Sequence, residues 1–116
     1  MKRSNEAFWW SLFSAGGVMA ALFMPAFIVL TGLVLPFTTG GDADLDYERA
    51  HQVVTWWPVR IVLFVVVFLS LFHCAHRIRH ILMDLGLRAV STVVAALCYS
   101  GAAAGTIAAL FVLGTL

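Results

Sequence analysis

The sequence predicts an all-α membrane protein built on three transmembrane helices, and two observations carry that expectation. Of its 116 residues, 62% are hydrophobic and 11% are charged, against about 25% charged in an ordinary soluble domain. So few charges cannot cover so much apolar surface in water. The apolar residues are also gathered into runs of membrane length, parted by short stretches that hold nearly all of the charge. A hydrocarbon core of about 30 Å needs about 20 helical residues. The expected spans run roughly over residues 12–36, 57–80 and 90–115 of a single membrane-anchor domain, 1–116.

The first element opens on a short polar stretch, residues 1–6, in which Ser4 or Asn5 suits a helix cap and Glu6 its first turn. From Ala7 to Gly41 there is neither a charge nor a histidine. The run exceeds the apolar core of a cleavable signal, and no small-residue cleavage site follows it before further spans appear. Trp9, Trp10 and Phe13 mark the membrane interface. Gly16-Gly17 permits close helix approach or a bend, Pro25 predicts a kink, and Pro36 closes the helix.

An acidic outer loop is expected over 38–51, with Asp42, Asp44, Asp46 and Glu48 ahead of Arg49. Four alternating acids fall short of the ordered ligand set of a calcium loop, so a solvated loop is the reading. Trp56-Trp57-Pro58 then begins the second span, with tryptophans at the interface and proline in the first turn. Arg60 lies about 24 Å of helix before His76, near the opposite membrane face, where it is expected to snorkel outward. Gly86 ends this helix, and Leu85 to Arg88 form a short turn.

The third span, Ala89 to Leu116, holds no charge. Gly101 and Gly105, extended by Ala109, make a small-residue face of the kind that packs helices in lipid. Cys74 and Cys98 lie in apolar runs without a CxxC pattern and read as buried free thiols. Net charge is +1 with no basic patch, so no nucleic-acid partner is expected. Lys2, Arg3, Arg77, Arg79 and Arg88 share one side of the membrane, while Arg49, Arg60 and the four loop acids share the other. The positive-inside rule therefore places the N-terminus in the cytoplasm and the C-terminus outside.

The candidate site is the stretch Phe72-His73-Cys74-Ala75-His76-Arg77-Ile78-Arg79-His80, at the cytoplasmic end of the second span. At about 100° per residue, His73, His76, Arg77, His80 and Asp84 fall within an arc of about 100°, and Arg79 points elsewhere. A protonatable, cationic stripe at the lip of a membrane helix is costly to place and marks a functional candidate. The plain alternative is juxtamembrane charge that fixes topology and meets headgroups. On the functional reading, Arg77 supplies fixed donors, His76 or His80 a proton near neutral pH, and Trp10 a flat apolar wall. A quinone head needs that combination. A histidine could instead be an axial haem ligand with its second ligand on a partner. A zinc site would want more converging ligands than one helix supplies, so no metal is expected.

Over nearly its whole length the chain resembles the D subunit of bacterial fumarate reductase. The matching stretches are Lys2-Arg3-Ser4 through Phe13, then Ala15-Gly16-Gly17; Gly41-Asp42-Ala43 with Tyr47-Glu48-Arg49; and His76-Arg77 followed by Asp84-Leu85. The resemblance implies a non-catalytic anchor in a hetero-oligomeric helical membrane assembly of the bacterial inner membrane. Its fumarate reductase partners would be the C subunit (the second anchor), an iron–sulfur protein and a flavoprotein carrying FAD. The pair of anchors would hold the soluble subunits at the cytoplasmic face, where menaquinol oxidation feeds the reduction of fumarate to succinate. Carried over residue by residue, the quinone pocket falls on Trp10, Phe13, His76 and Arg77, with His73 and His80 as a proton relay, and no haem is expected. Two positions depart from the family pattern: Arg79 stands where a further histidine is expected, and Trp9-Trp10 is doubled. The other classes weighed are a haem-ligating anchor of a succinate dehydrogenase, a small multi-helix transporter, and a structural anchor without quinone contact. The transporter lacks the intramembrane acid that coupling usually needs.

Overall fold

The computed structural model describes residues 4–34, 37 and 47–116, and among them there is helix and no strand. Lys2, Arg3, Pro36, Asp42, Asp44 and Asp46 lie outside the described residues. Helix α1 spans Glu6–Val29 and runs on through a π-helical turn, Leu30–Val34. Helix α2 is Tyr47–Thr55, α3 is Trp57–Asp84 and α4 is Ser91–Thr115, the last preceded by a 3-10 turn, Leu87–Val90. Three of these stretches, Glu6–Val34, Trp57–Asp84 and Leu87–Thr115, are long and apolar enough to cross a membrane. The chain is thus an all-α membrane protein, as its apolar runs predict.

Local chemistry accounts for the ends. Asn5 occupies the N-cap position of α1 without a side-chain bond, and the Glu6 N–H instead donates to the Ser4 hydroxyl at 3.3 Å. Pro25 sits inside α1 without ending it, and the helix widens into its π-helical turn a few residues on. Such turns absorb disturbed backbone bonding in long helices. Tyr47 to His51 are helical, so the expected outer loop gives way to α2 before its end. Pro58 lies in the first turn of α3, where its missing N–H has no intrahelical partner to lose. Gly86 stops α3 with φ 106°, a left-handed conformation that a Cβ would strain, and its N–H donates to the Met83 carbonyl at 3.3 Å.

Helix α3 is the centre of the fold, with α1 packed on one side and α4 on the other. In lipid, helices gain little from hydrophobicity, so contact depends on small residues that let backbones approach. At the α1–α3 crossing, a Cβ on Gly16 would lie 2.6 Å from the Leu69 carbonyl oxygen, and one on Gly17 would lie 2.8 Å from His73 Cε1. The glycine pair therefore serves close approach. At the α3–α4 crossing, Ala75, Val94 and Ala102 are buried, and a Cβ on Gly105 would meet Leu71 at 2.9 Å. A Cβ on Gly101 would meet nothing. The expected Gly101–Gly105 face is thus divided, with Gly105 used inside the chain and Gly101 open.

The buried core of the described residues is Val66, Ala75, Val94 and Ala102, while Leu22, Ile28, Leu97, Ile107 and Phe111 are exposed. An apolar exterior over so small a core suits lipid and neighbouring helices. Cys74 and Cys98 are free thiols as expected, but neither is buried: Cys74 is exposed and Cys98 half-buried. Arg60 is half-buried, and its Nε has no hydrogen-bond partner.

Candidate functional site

The first two turns of α1 and the middle of α3 enclose a cleft of about 530 Å³, to which α4 adds one residue. Its lining is Glu6, Trp9, Trp10, Leu12, Phe13, Phe68, Leu69, Phe72, His73, His76 and Tyr99. The volume falls within the range of small-molecule sites, and so does the character: apolar, aromatic walls with a few polar groups.

Phe13 organises the wall. Its ring stacks on His73, with centroids 4.5 Å apart and planes at 23°, and meets His76 edge-on at 4.7 Å. Trp10 stands edge-on to both Phe13, at 5.9 Å, and His76, at 6.5 Å. Four of the residues expected at a site from sequence, Trp10, Phe13, His73 and His76, are therefore together. They meet because Gly16 and Gly17 let α1 settle against α3 one turn beyond Phe13.

The two imidazoles are held differently. His73 Nδ1 lies 3.1 Å from the Phe13 carbonyl oxygen, which can only accept, so the ring N–H donates there. His76 Nδ1 is hydrogen-bonded to the Tyr99 hydroxyl of α4 at 2.9 Å. Nε2 is then the nitrogen left to His76 for a ligand. His80 stacks edge-on against His76 at 4.5 Å and is itself exposed, so imidazoles lead from the cleft to the surface.

The remaining charges of the stripe part company with this arrangement. Arg77 is exposed and does not line the cleft. Arg79 turns toward α4, as its place off the arc predicts, and its guanidinium carbon sits 5.8 Å from the centre of the Tyr99 ring. Its Nε is buried without a hydrogen-bond partner. Asp84 approaches Arg88 at 3.6 Å across the turn, with both side chains 76% exposed, an ion pair of little energetic weight. Among the lining residues with ionisable side chains, Glu6 and Tyr99 escaped the sequence reading as site residues: Glu6 reads there only as a first-turn acid, and Tyr99 stands in a featureless apolar run.

Comparison with known proteins bears on this geometry. The family model for the fumarate reductase D subunit matches residues 1–113. A protein named as a fumarate reductase D subunit, from Shewanella sp. (strain W3-18-1), is 39% identical over 110 residues, covering 93% of this chain and 88% of that protein. One of the same name from Mycobacterium tuberculosis (strain CDC 1551 / Oshkosh) is 39% identical over 118 residues, with 99% and 91% covered. Another, from Aliivibrio fischeri (strain MJ11), is 33% identical over 108 residues, with 91% and 88% covered.

Proposed function

Since the chain belongs to the family of fumarate reductase D subunits, which are membrane anchors, we propose that its cleft helps to form a menaquinol oxidation site. In this reading the chain pairs with the C subunit, the second anchor, in the bacterial inner membrane. Together they hold an iron–sulfur protein and an FAD-bearing flavoprotein at the cytoplasmic face, and the chain itself catalyses nothing. The observation that carries the reading is one cleft walled by Trp10 and Phe13 with the imidazoles of His73 and His76 in it. A flat, two-oxygen ring needs such walls and such donors, and a volume of about 530 Å³ suits it.

Menaquinol, when bound, supplies two electrons to the redox centres of the partner subunits and two protons to the protein. The chain's residues bind and orient the ring and accept protons from it. Trp10 and Phe13 stack against it and exclude water. His76 meets a ring oxygen through Nε2 and can take its proton, and the neighbouring His80 offers that proton a way to the surface. His73, tied to the Phe13 carbonyl, keeps the aromatic wall in place. Arg77 is exposed and outside the cleft lining, so its part in this reading is to swing its long side chain to the ring as a charge-assisted donor when quinol binds.

The test is His76→Ala in the intact complex in its membrane. Quinol-dependent fumarate reduction should fall by about a hundredfold or more, the effect of losing a proton acceptor. Reduction by an artificial dye, which feeds the soluble subunits directly, should hold. An unchanged quinol rate would sink the proposal.

A further inference from the structure

Tyr99 lies on the third membrane-crossing helix, apart from the α1 and α3 residues that give the cleft its aromatic walls, yet it lines the same cleft and bonds to its central imidazole. We propose that Tyr99 is a positioning residue for His76, its hydroxyl holding the imidazole so that Nε2 is the atom presented to the quinol oxygen. The inference rests on the quinol-site reading above and adds to it a residue from α4.

Three observations converge on Tyr99. The hydroxyl is 2.9 Å from His76 Nδ1, a full hydrogen bond. Without it, the His76 ring would be held only by edge-on contacts with Phe13, Trp10 and His80, which leave it free to turn about its own bond to Cβ. A histidine that must hand over or take up a proton at one nitrogen is commonly oriented by a bond at the other. The Tyr99 ring also carries the Arg79 guanidinium carbon 5.8 Å from its centre, within cation–π range. The order Arg79, Tyr99, His76 thus runs from the α3–α4 groove into the cleft. It gives Arg79 a role that its position off the histidine arc conceals.

The hydroxyl can be removed cleanly. Tyr99→Phe keeps the ring beneath Arg79 and deletes only the atom that bonds to His76. In the intact membrane complex this variant should lower the maximal quinol-dependent rate by about two- to tenfold, with little change in KM, the effect of one lost neutral hydrogen bond. Dye-driven fumarate reduction should remain in the membrane fraction. The decisive measurement is the double variant with His76→Ala: if Tyr99 acts through His76, the double variant is no slower than His76→Ala alone. Losses that multiply would show Tyr99 acting independently and overturn the proposal. So would loss of membrane-bound, dye-driven activity in Tyr99→Phe, which would mark the hydroxyl as a packing element. If His76→Ala slows quinol turnover while Tyr99→Phe leaves it unchanged, only this inference fails. If His76→Ala itself is silent, the quinol-site reading fails with it.

Discussion

Phe13 grips His73 twice, stacking its ring on the imidazole at 4.5 Å while its backbone carbonyl accepts the ring N–H at 3.1 Å. One residue thereby sets the spacing of α1 and α3 at the cleft and fills the gap between His73 and His76. Phe13→Leu keeps the carbonyl bond and removes the aromatic faces, contacts worth about 0.5–1.5 kcal/mol. The KM for quinol should rise by about two- to tenfold, measured with the dye-driven rate as the control for assembly.

The two neighbouring glycines should behave differently. A methyl at Gly16 would meet backbone, the Leu69 carbonyl at 2.6 Å, which cannot step aside without moving a helix. Gly16→Ala should therefore lower the amount of assembled complex in the membrane, read by immunoblot and dye-driven activity together. A methyl at Gly17 would meet the end of a side chain, His73 Cε1 at 2.8 Å. Gly17→Ala should assemble and lose quinol turnover by severalfold as the His73 ring turns.

Arg77 and Arg79 separate the binding role from the supporting one. A charge-assisted bond from Arg77 is worth about 1.5–3 kcal/mol, so Arg77→Leu should slow quinol turnover by about ten- to a hundredfold. Arg79→Leu removes a cation over the Tyr99 ring, worth about 0.5–1 kcal/mol, and should cost no more than about fivefold. The two rates, compared at equal dye-driven activity, decide the order.

Topology offers an independent check. With five basic residues on the side of the N-terminus and the second loop, the C-terminus is expected outside. A reporter active only in the cytoplasm, fused after Leu116, should be inactive. Activity there would reverse the orientation and place the cleft at the outer face.

The purified complex should lack b-type absorbance in its Soret and alpha bands under dithionite. A stoichiometric band that disappears in His73→Ala or His76→Ala would replace the quinol site with a cytochrome.

The three membrane-crossing helices were legible because apolar runs of that length have few soluble solutions, and Gly86 marks its turn by chemistry alone. The site was legible in part. Trp10, Phe13 and His76 stand at the matching ends of two spans, and His73 shares their arc. What a single helical wheel lacks is the direction of its neighbours. The arc drawn through the titratable residues runs from His76 through His80 and His73 to Arg77, whereas the cleft follows Phe68, Leu69, Phe72, His73 and His76 and leaves Arg77 outside. Tyr99 was illegible for a related reason. Nothing within an uncharged helix says which turn of it will stand beside His76, and that register follows from Ala102 and Gly105 packing against α3.

A chain leaves the ribosome from its N-terminus, so the helices enter the bilayer in the order α1, α3, α4. The bond from His73 to Phe13 needs only the first two, whereas the bond from His76 to Tyr99 waits for the last. The aromatic half of the cleft can therefore form while the protein is still being made, and its polar half matures only at completion. The His76 imidazole thus gains its full set of contacts only once all three spans are in place.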